Sequence, residues 1–191
     1  PPEVVGTPGF IAPEVMATRA LPLQDPKKNL PQISTDRHAL AVLIYTFLLQ
    51  RHPLDGGKVW DVNDTEHDDD LRYGEKALFI EHPYDATNHV KPSQLDPHEL
   101  PQGDPQQRPY TLCGPYLTRL FNRAFVEGLH APARRPSAAE WEDALVKTCD
   151  LLQPCHCEQG WYVFDNTTQP KCPFCGQPYA GQLPVLNFYY A

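Results

Sequence analysis

The sequence predicts a mainly α-helical domain followed by a small β module folded around a metal ion. Three observations carry that expectation. An apolar run from Ala39 to Leu49 follows Asp36, which suits a helix start. Two later stretches repeat apolar residues at 3- and 4-residue spacing, the helical period. Four of the six cysteines then crowd into residues 155–175, just past Gln153-Pro154, where the composition changes. The boundary is placed there: residues 1–152 form the helical domain and residues 153–191 the module.

Size and charge narrow the classes. The 191 residues suit one ordinary domain plus a small module. An apolar fraction of 41% is enough to fill a core. The balance of 16 basic against 24 acidic residues gives −8, which argues against a duplex-binding footprint. The longest apolar run has 11 residues, short of the roughly 20 a membrane span needs. With no signal-peptide pattern, a cytoplasmic location is expected. The chain opens without Met, on Pro1-Pro2-Glu3, and reads as a fragment of a larger protein.

Along the chain, residues 1–35 are proline-rich, with a short helical start near Ala12 to Met16. Asp36 is expected to cap a helix that is apolar on nearly all faces and therefore buried all round. Arg51-His52-Pro53 ends it and Asp55-Gly56-Gly57 turns the chain. Asp61 to Asp70 carries six carboxylates and reads as a solvated loop, with a helix following from about Asp69 to Ile80. Residues 81–110 hold six prolines and read as a long surface loop. Leu117, Leu120, Phe121, Ala124 and Phe125 mark a helix over Gly114 to Gly128. Ser137, with Glu140 three residues on, makes a capping box for a helix running to about Leu152. Cys113 and Cys149, on or beside these helices, read as small buried hydrophobes.

The cysteine pattern is Cys155-x-Cys157, 14 intervening residues, then Cys172-x-x-Cys175-Gly176. Two close pairs on separate turns can bring four thiolates to one tetrahedral Zn²⁺. Trp161 to Phe164 and Pro184 to Tyr190 read as strands, which suggests a zinc-ribbon-like module too small for an apolar core of its own. Disulfides suit a secreted chain, and a redox Cys-x-x-Cys usually stands without a second pair. Because Cys-x-Cys is tighter than Cys-x-x-Cys, His156 or Cys149 could replace one thiolate. Four cysteine ligands leave no open position, so a structural role is expected.

Three segments, in order, resemble the C-terminal lobe of a eukaryotic-type serine/threonine protein kinase. Gly6-Thr7-Pro8-Gly9-Phe10-Ile11-Ala12-Pro13-Glu14 looks like the peptide-positioning loop and its Ala-Pro-Glu motif. Asp36 with its apolar helix and Arg51-His52-Pro53-Leu54 is similar to the central kinase helix and the turn behind it. Ala133-Arg134-Arg135-Pro136-Ser137 is like the segment before the last kinase helix. The likeness spans residues 4–150, with an enlarged stretch between 55 and 112. It implies a buried ion pair between Glu14 and Arg135, and a substrate-positioning loop carrying Thr7, Gly9 and Phe10. It also implies that Asp36, an aspartate that holds the catalytic loop in kinases, acts here only as a cap. The ATP-binding and catalytic motifs that phosphoryl transfer requires are absent upstream of residue 6. The fragment is therefore expected not to be an enzyme, with ATP and Mg²⁺ belonging only to a full-length kinase.

Cys113 to Leu117, Trp161 to Thr167 and Lys171 to Gly176 also look like bacterial kinases of TerY-associated, tellurite-resistance-linked stress systems, in which a kinase lobe joins a zinc ribbon. That resemblance implies two partners, a von Willebrand factor A protein of the TerY type and a metal-dependent protein phosphatase. Asp68, Asp69 and Asp70 are candidate partner contacts, since a hard cation on such a partner prefers oxygen ligands. The alternative is a nucleic-acid-binding ribbon that stacks bases on Trp161, Tyr162, Phe164, Phe174 or Tyr179. Against it, Lys171 is the lone Lys or Arg in residues 154–191. A free-standing enzyme finds no support in Gly-x-Ser-x-Gly or His-Glu-x-x-His motifs, and the histidines are scattered through loops.

Overall fold

A computed structural model describes residues 6–167 and 169–181. The described residues make a mainly helical domain with a two-stranded antiparallel hairpin near its C-terminal end. The helices are α1 (Pro13–Met16), α2 (Ile33–Leu49), α3 (Thr65–Tyr73), α4 (Gly114–Asn122) and α5 (Ala138–Asp150). The strands are β1 (Leu152–Pro154) and β2 (Trp161–Val163), with Gln153 opposite Tyr162. The strand expected over Pro184 to Tyr190 lies outside the described residues.

Helix α2 organises the core. Thr35, His38, Ala41, Val42, Tyr45 and Leu49 form its buried stripe. Tyr45 meets Phe79, Phe121 and Phe125 edge-on, with centroids 5.2–5.6 Å apart, the favoured aromatic geometry. Trp141 of α5 closes this cluster against Phe121 at 5.2 Å. The expectation that α2 is buried all round is corrected. Ile33, Leu43 and Phe47 are 74%, 56% and 77% exposed, because α4, α5 and their connections cover one side of the helix.

Several element boundaries differ from the sequence reading. Asp36 is not the cap of α2. The helix starts four residues earlier, with Gln32 at the cap and Thr35 Oγ1 accepting from its N–H at 2.9 Å. Asp36 lies in the first turn, where its charge still complements the helix dipole. The acidic stretch is largely helical rather than a loop. Asp64 caps α3 by accepting from His67 N–H at 3.0 Å, and the acids of the first turn suit a helix N-terminus. The helix expected to reach Ile80 ends at Tyr73, before Gly74. Residues 81–109 hold only short 3₁₀ turns. Helix α4 passes into a π-helical turn over Arg123–Glu127, closed by Gly128 N–H donating to Arg123 O at 2.7 Å. Ser137 and Glu140 form the expected capping box of α5.

Two buried arginines tie distant segments to this body. Arg135, its side chain 1% exposed, uses all five of its N–H donors. They reach both Glu14 carboxylate oxygens (2.8 and 2.7 Å), Ser34 O, Gly128 O and Leu129 O. Arg51 does the same for the proline-rich connection, donating to Glu81 (2.6 Å), Gln102 O (2.7 Å), Arg108 O (2.7 Å) and Tyr45 Oη (3.3 Å). Glu81 also accepts from the Tyr45 hydroxyl and from Tyr110 N–H. The long surface loop expected here is fixed at its two ends by buried charge pairing.

Candidate metal centre

The metal-like cluster is built by two turns. In the first, Cys155 N–H donates to Gly160 O (2.6 Å) and Gly160 N–H donates to Cys157 O (3.0 Å). In the second, Cys172 N–H donates to Gln177 O and Gly176 N–H to Cys172 O, both at 2.9 Å. Gly160 and Gly176 take positive φ of 72° and 73°, which lets each turn fold back sharply. An isolated bridge between Lys171 and Pro178 brackets the second turn.

These turns bring the sulfurs of Cys155, Cys157, Cys172 and Cys175 within 4.8 Å of one another. Cys155 Sγ lies 3.5 Å from Cys175 Sγ, and Cys157 Sγ lies 3.7 Å from Cys172 Sγ. Thiolates bound at about 2.3 Å to a tetrahedral ion stand about 3.8 Å apart, so the set fits one such ion. A disulfide needs about 2.0 Å, and all four cysteines are free. Among the described residues no other His, Cys, Asp or Glu joins the cluster, so neither His156 nor Cys149 replaces a thiolate. Cys172 is buried, Cys155 and Cys157 are half-buried and Cys175 is exposed. The Gln159 N–H beside Cys157 draws its thiol down to about 7, while Cys155, hydrogen-bonded to the Cys175 thiol, is shifted upward.

The other sequence-marked residues fall in three places. Thr7, Phe10 and Asp36 line one shallow cleft of about 230 Å³. Thr7 is exposed, while Phe10 packs against the core and the His52 ring. His52, which the sequence marked only as part of the turn behind α2, fixes this segment. Its Nδ1 accepts from Leu54 N–H at 3.2 Å, so Nε2 carries the proton and donates to Gly9 O at 2.9 Å. Burial holds its pKa below the ordinary histidine value. Glu14 and Arg135 meet as expected.

The acidic triplet is corrected in part. Asp68 is 3% exposed and accepts from Trp60 N–H (2.5 Å), Asp61 N–H (2.9 Å) and Arg72 (2.6 Å). It is an internal brace, unavailable to a partner. Asp70 pairs with Arg19 at 2.7 Å, which leaves Asp69 as the member with the freest carboxylate. Cys149 is exposed rather than buried, since it lies on the outer side of α5. Cys113 is half-buried, and burial pushes its thiol up to about 12.

Against family models, curated proteins and solved structures alike, the chain finds no match. Among the described residues, no helix is long and apolar enough to cross a membrane.

Proposed function

We propose that this chain is a non-catalytic interaction unit, the back part of a serine/threonine kinase lobe carrying a structural zinc ribbon. The observation that carries the reading is the Glu14–Arg135 pair. It joins two kinase-like segments 121 residues apart through a two-pronged, buried contact. The His52 bond to Gly9 supports it further, since it backs the Thr7–Phe10 segment that would face a protein substrate. In this reading the four-cysteine centre holds zinc, and the helical body and ribbon act as a docking scaffold in a tellurite-resistance-type phosphorylation system. The partners are a TerY-like von Willebrand factor A protein and a metal-dependent phosphatase. ATP and Mg²⁺ belong to the full-length kinase.

The test is direct binding of the purified chain to a TerY-like von Willebrand A protein, with and without the cation of that partner. Cation-dependent capture that Asp69→Asn weakens supports docking through the acidic helix. Cation-independent capture moves the contact elsewhere on the chain, and no capture removes this partner.

A second reading, a nucleic-acid-binding ribbon attached to a helical domain, draws on Trp161. That ring is 60% exposed at the start of β2, where a base could stack. It needs only the helical body and the cysteine centre, without any kinase relationship. A salt-dependent affinity for single-stranded RNA or DNA, lost in Trp161→Ala, would favour it over the docking reading.

A further inference from the structure

The ribbon is not a free appendage. Phe174, between the ligand pair Cys172 and Cys175, lies under the Arg108 guanidinium with 4.3 Å from Cζ to the ring centroid. Arg108 also donates to Gln159 Oε1 at 2.7 Å, within the turn that carries Cys155 and Cys157. One side chain thus touches both cysteine turns. Its own carbonyl accepts from buried Arg51 at 2.7 Å, and Arg51 bonds Glu81, Tyr45 and Gln102 O. The path from the cysteine centre to the aromatic core is therefore an unbroken series of polar and cation–π contacts.

We infer that Arg108 couples metal occupancy of the ribbon to the order of residues 102–110 and, through Arg51, to the core of the helical domain. This rests on the reading of the four-cysteine centre as a metal site. The physical reason is geometric. Both turns hold their shape when four thiolates share one ion, and without it the like-charged or loosely paired thiols have no reason to stay together. Phe174 and Gln159 then leave Arg108 without either partner. The segment it belongs to is punctuated by Pro101, Pro105 and Pro109, and short 3₁₀ turns and buried side-chain bonds hold it in place of regular structure. Metal state would accordingly be felt some distance away, on the face where this segment, Arg51 and His98 border a cleft of about 660 Å³.

Hydrogen exchange of the full chain under reducing conditions tests this, with zinc bound and after chelation. Zinc per chain is measured in parallel. In the unmodified chain, chelation is expected to speed exchange at the amides of 102–110 by about 3- to 30-fold, the range a cation–π contact implies. In Arg108→Ala, zinc content stays at about one per chain, while exchange at 102–110 is already fast and chelation adds less than about 2-fold. Phe174→Leu, which keeps an apolar side chain in the turn, is expected to do the same, and it serves if Arg108→Ala fails to fold. Zinc bound in both chains with an undiminished chelation response in the variants overturns the coupling and leaves the metal reading intact. An unmodified chain that binds no zinc overturns both.

Discussion

Glu14 and Arg135 form a two-pronged ion pair with N–O distances of 2.8 and 2.7 Å, and every remaining N–H of that guanidinium meets a backbone carbonyl. The pair binds the start of α1 to the connection before α5, and Ser34 O brings in the start of α2. Removing one partner strands the other, which costs about 3–5 kcal/mol for a buried pair. Urea unfolding of Arg135→Ala should show a loss of that size. Arg135→Lys should lose nearly as much, because three rotatable donors cannot replace a planar fork of five. A loss below about 1 kcal/mol in both would mean that the pair is dispensable to the fold.

If the four-cysteine cluster holds zinc as proposed, metal removal should act on the C-terminal hairpin and its cysteine turns first. Cys172 is the buried member of the cluster, so Cys172→Ser should bring zinc below about half an equivalent per chain under reducing conditions. Cys149→Ser, outside the cluster, should leave zinc content unchanged. Elemental analysis reads both. Equal zinc loss from the two variants would remove the assignment of the four ligands.

How much of this was legible in the sequence depends on which residues carried the signal. The four-cysteine cluster was legible because paired cysteines on tight turns leave few other chemistries. The α5 cap was legible because Ser137 and Glu140 bond locally. The start of α2 was not, because Gln32 is a weak cap by type and owes its role to the Thr35 hydroxyl three residues on. Asp68 misled for a related reason. In an acidic run, composition cannot distinguish the carboxylate that turns inward to meet Trp60 and Asp61 N–H from those facing water. Apart from Tyr45, the partners of Arg51 and Arg108 lie 30 to 66 positions away, beyond any local pattern.

The brace role of Asp68 has its own consequence. Asp68→Asn weakens three charge-assisted bonds to Trp60 N–H, Asp61 N–H and Arg72, and should cost about 1–3 kcal/mol. Asp69→Asn should stay within about 0.5 kcal/mol of the unmodified chain. Thermal unfolding of both variants separates the internal acid from the surface one. Equal effects would return Asp68 to the surface.

Acid should destabilise the helical domain earlier than its carboxylates alone would. His38 is buried beside Arg135, His52 and His130, and desolvation brings its pKa down to about 3. His52 is lowered too, chiefly by burial, and its Nδ1 must stay unprotonated to accept from Leu54 N–H. A histidine with a depressed folded pKa binds its proton more readily when unfolded, so stability rises with pH across the interval. Stability is therefore full above about 6.5, the unfolded value, and declines as pH falls towards the folded values. The exposed His67, raised by Asp61, acts in the opposite sense. Unfolding free energy measured between pH 7 and pH 4.5 should fall steadily in the unmodified chain and more shallowly in His38→Gln. Parallel slopes would mean that the buried histidine takes no part.

Gly114 offers a test of how tightly the C-terminal hairpin and the helical domain are joined. It opens α4 at φ 83°, a conformation that L side chains rarely adopt. A Cβ there would come within 2.5 Å of Val163 Cγ1, on the hairpin strand β2. Gly114→Ala therefore meets backbone strain and a clash between the two units together, and should cost more than about 1 kcal/mol. Val163→Ala in the same chain removes the obstructing methyl groups. It should recover part of the loss if the clash dominates and none if the positive φ dominates. A double-mutant cycle read by urea unfolding distinguishes them. Full additivity would show that the approach of β2 to α4 adds nothing to the strain at Gly114.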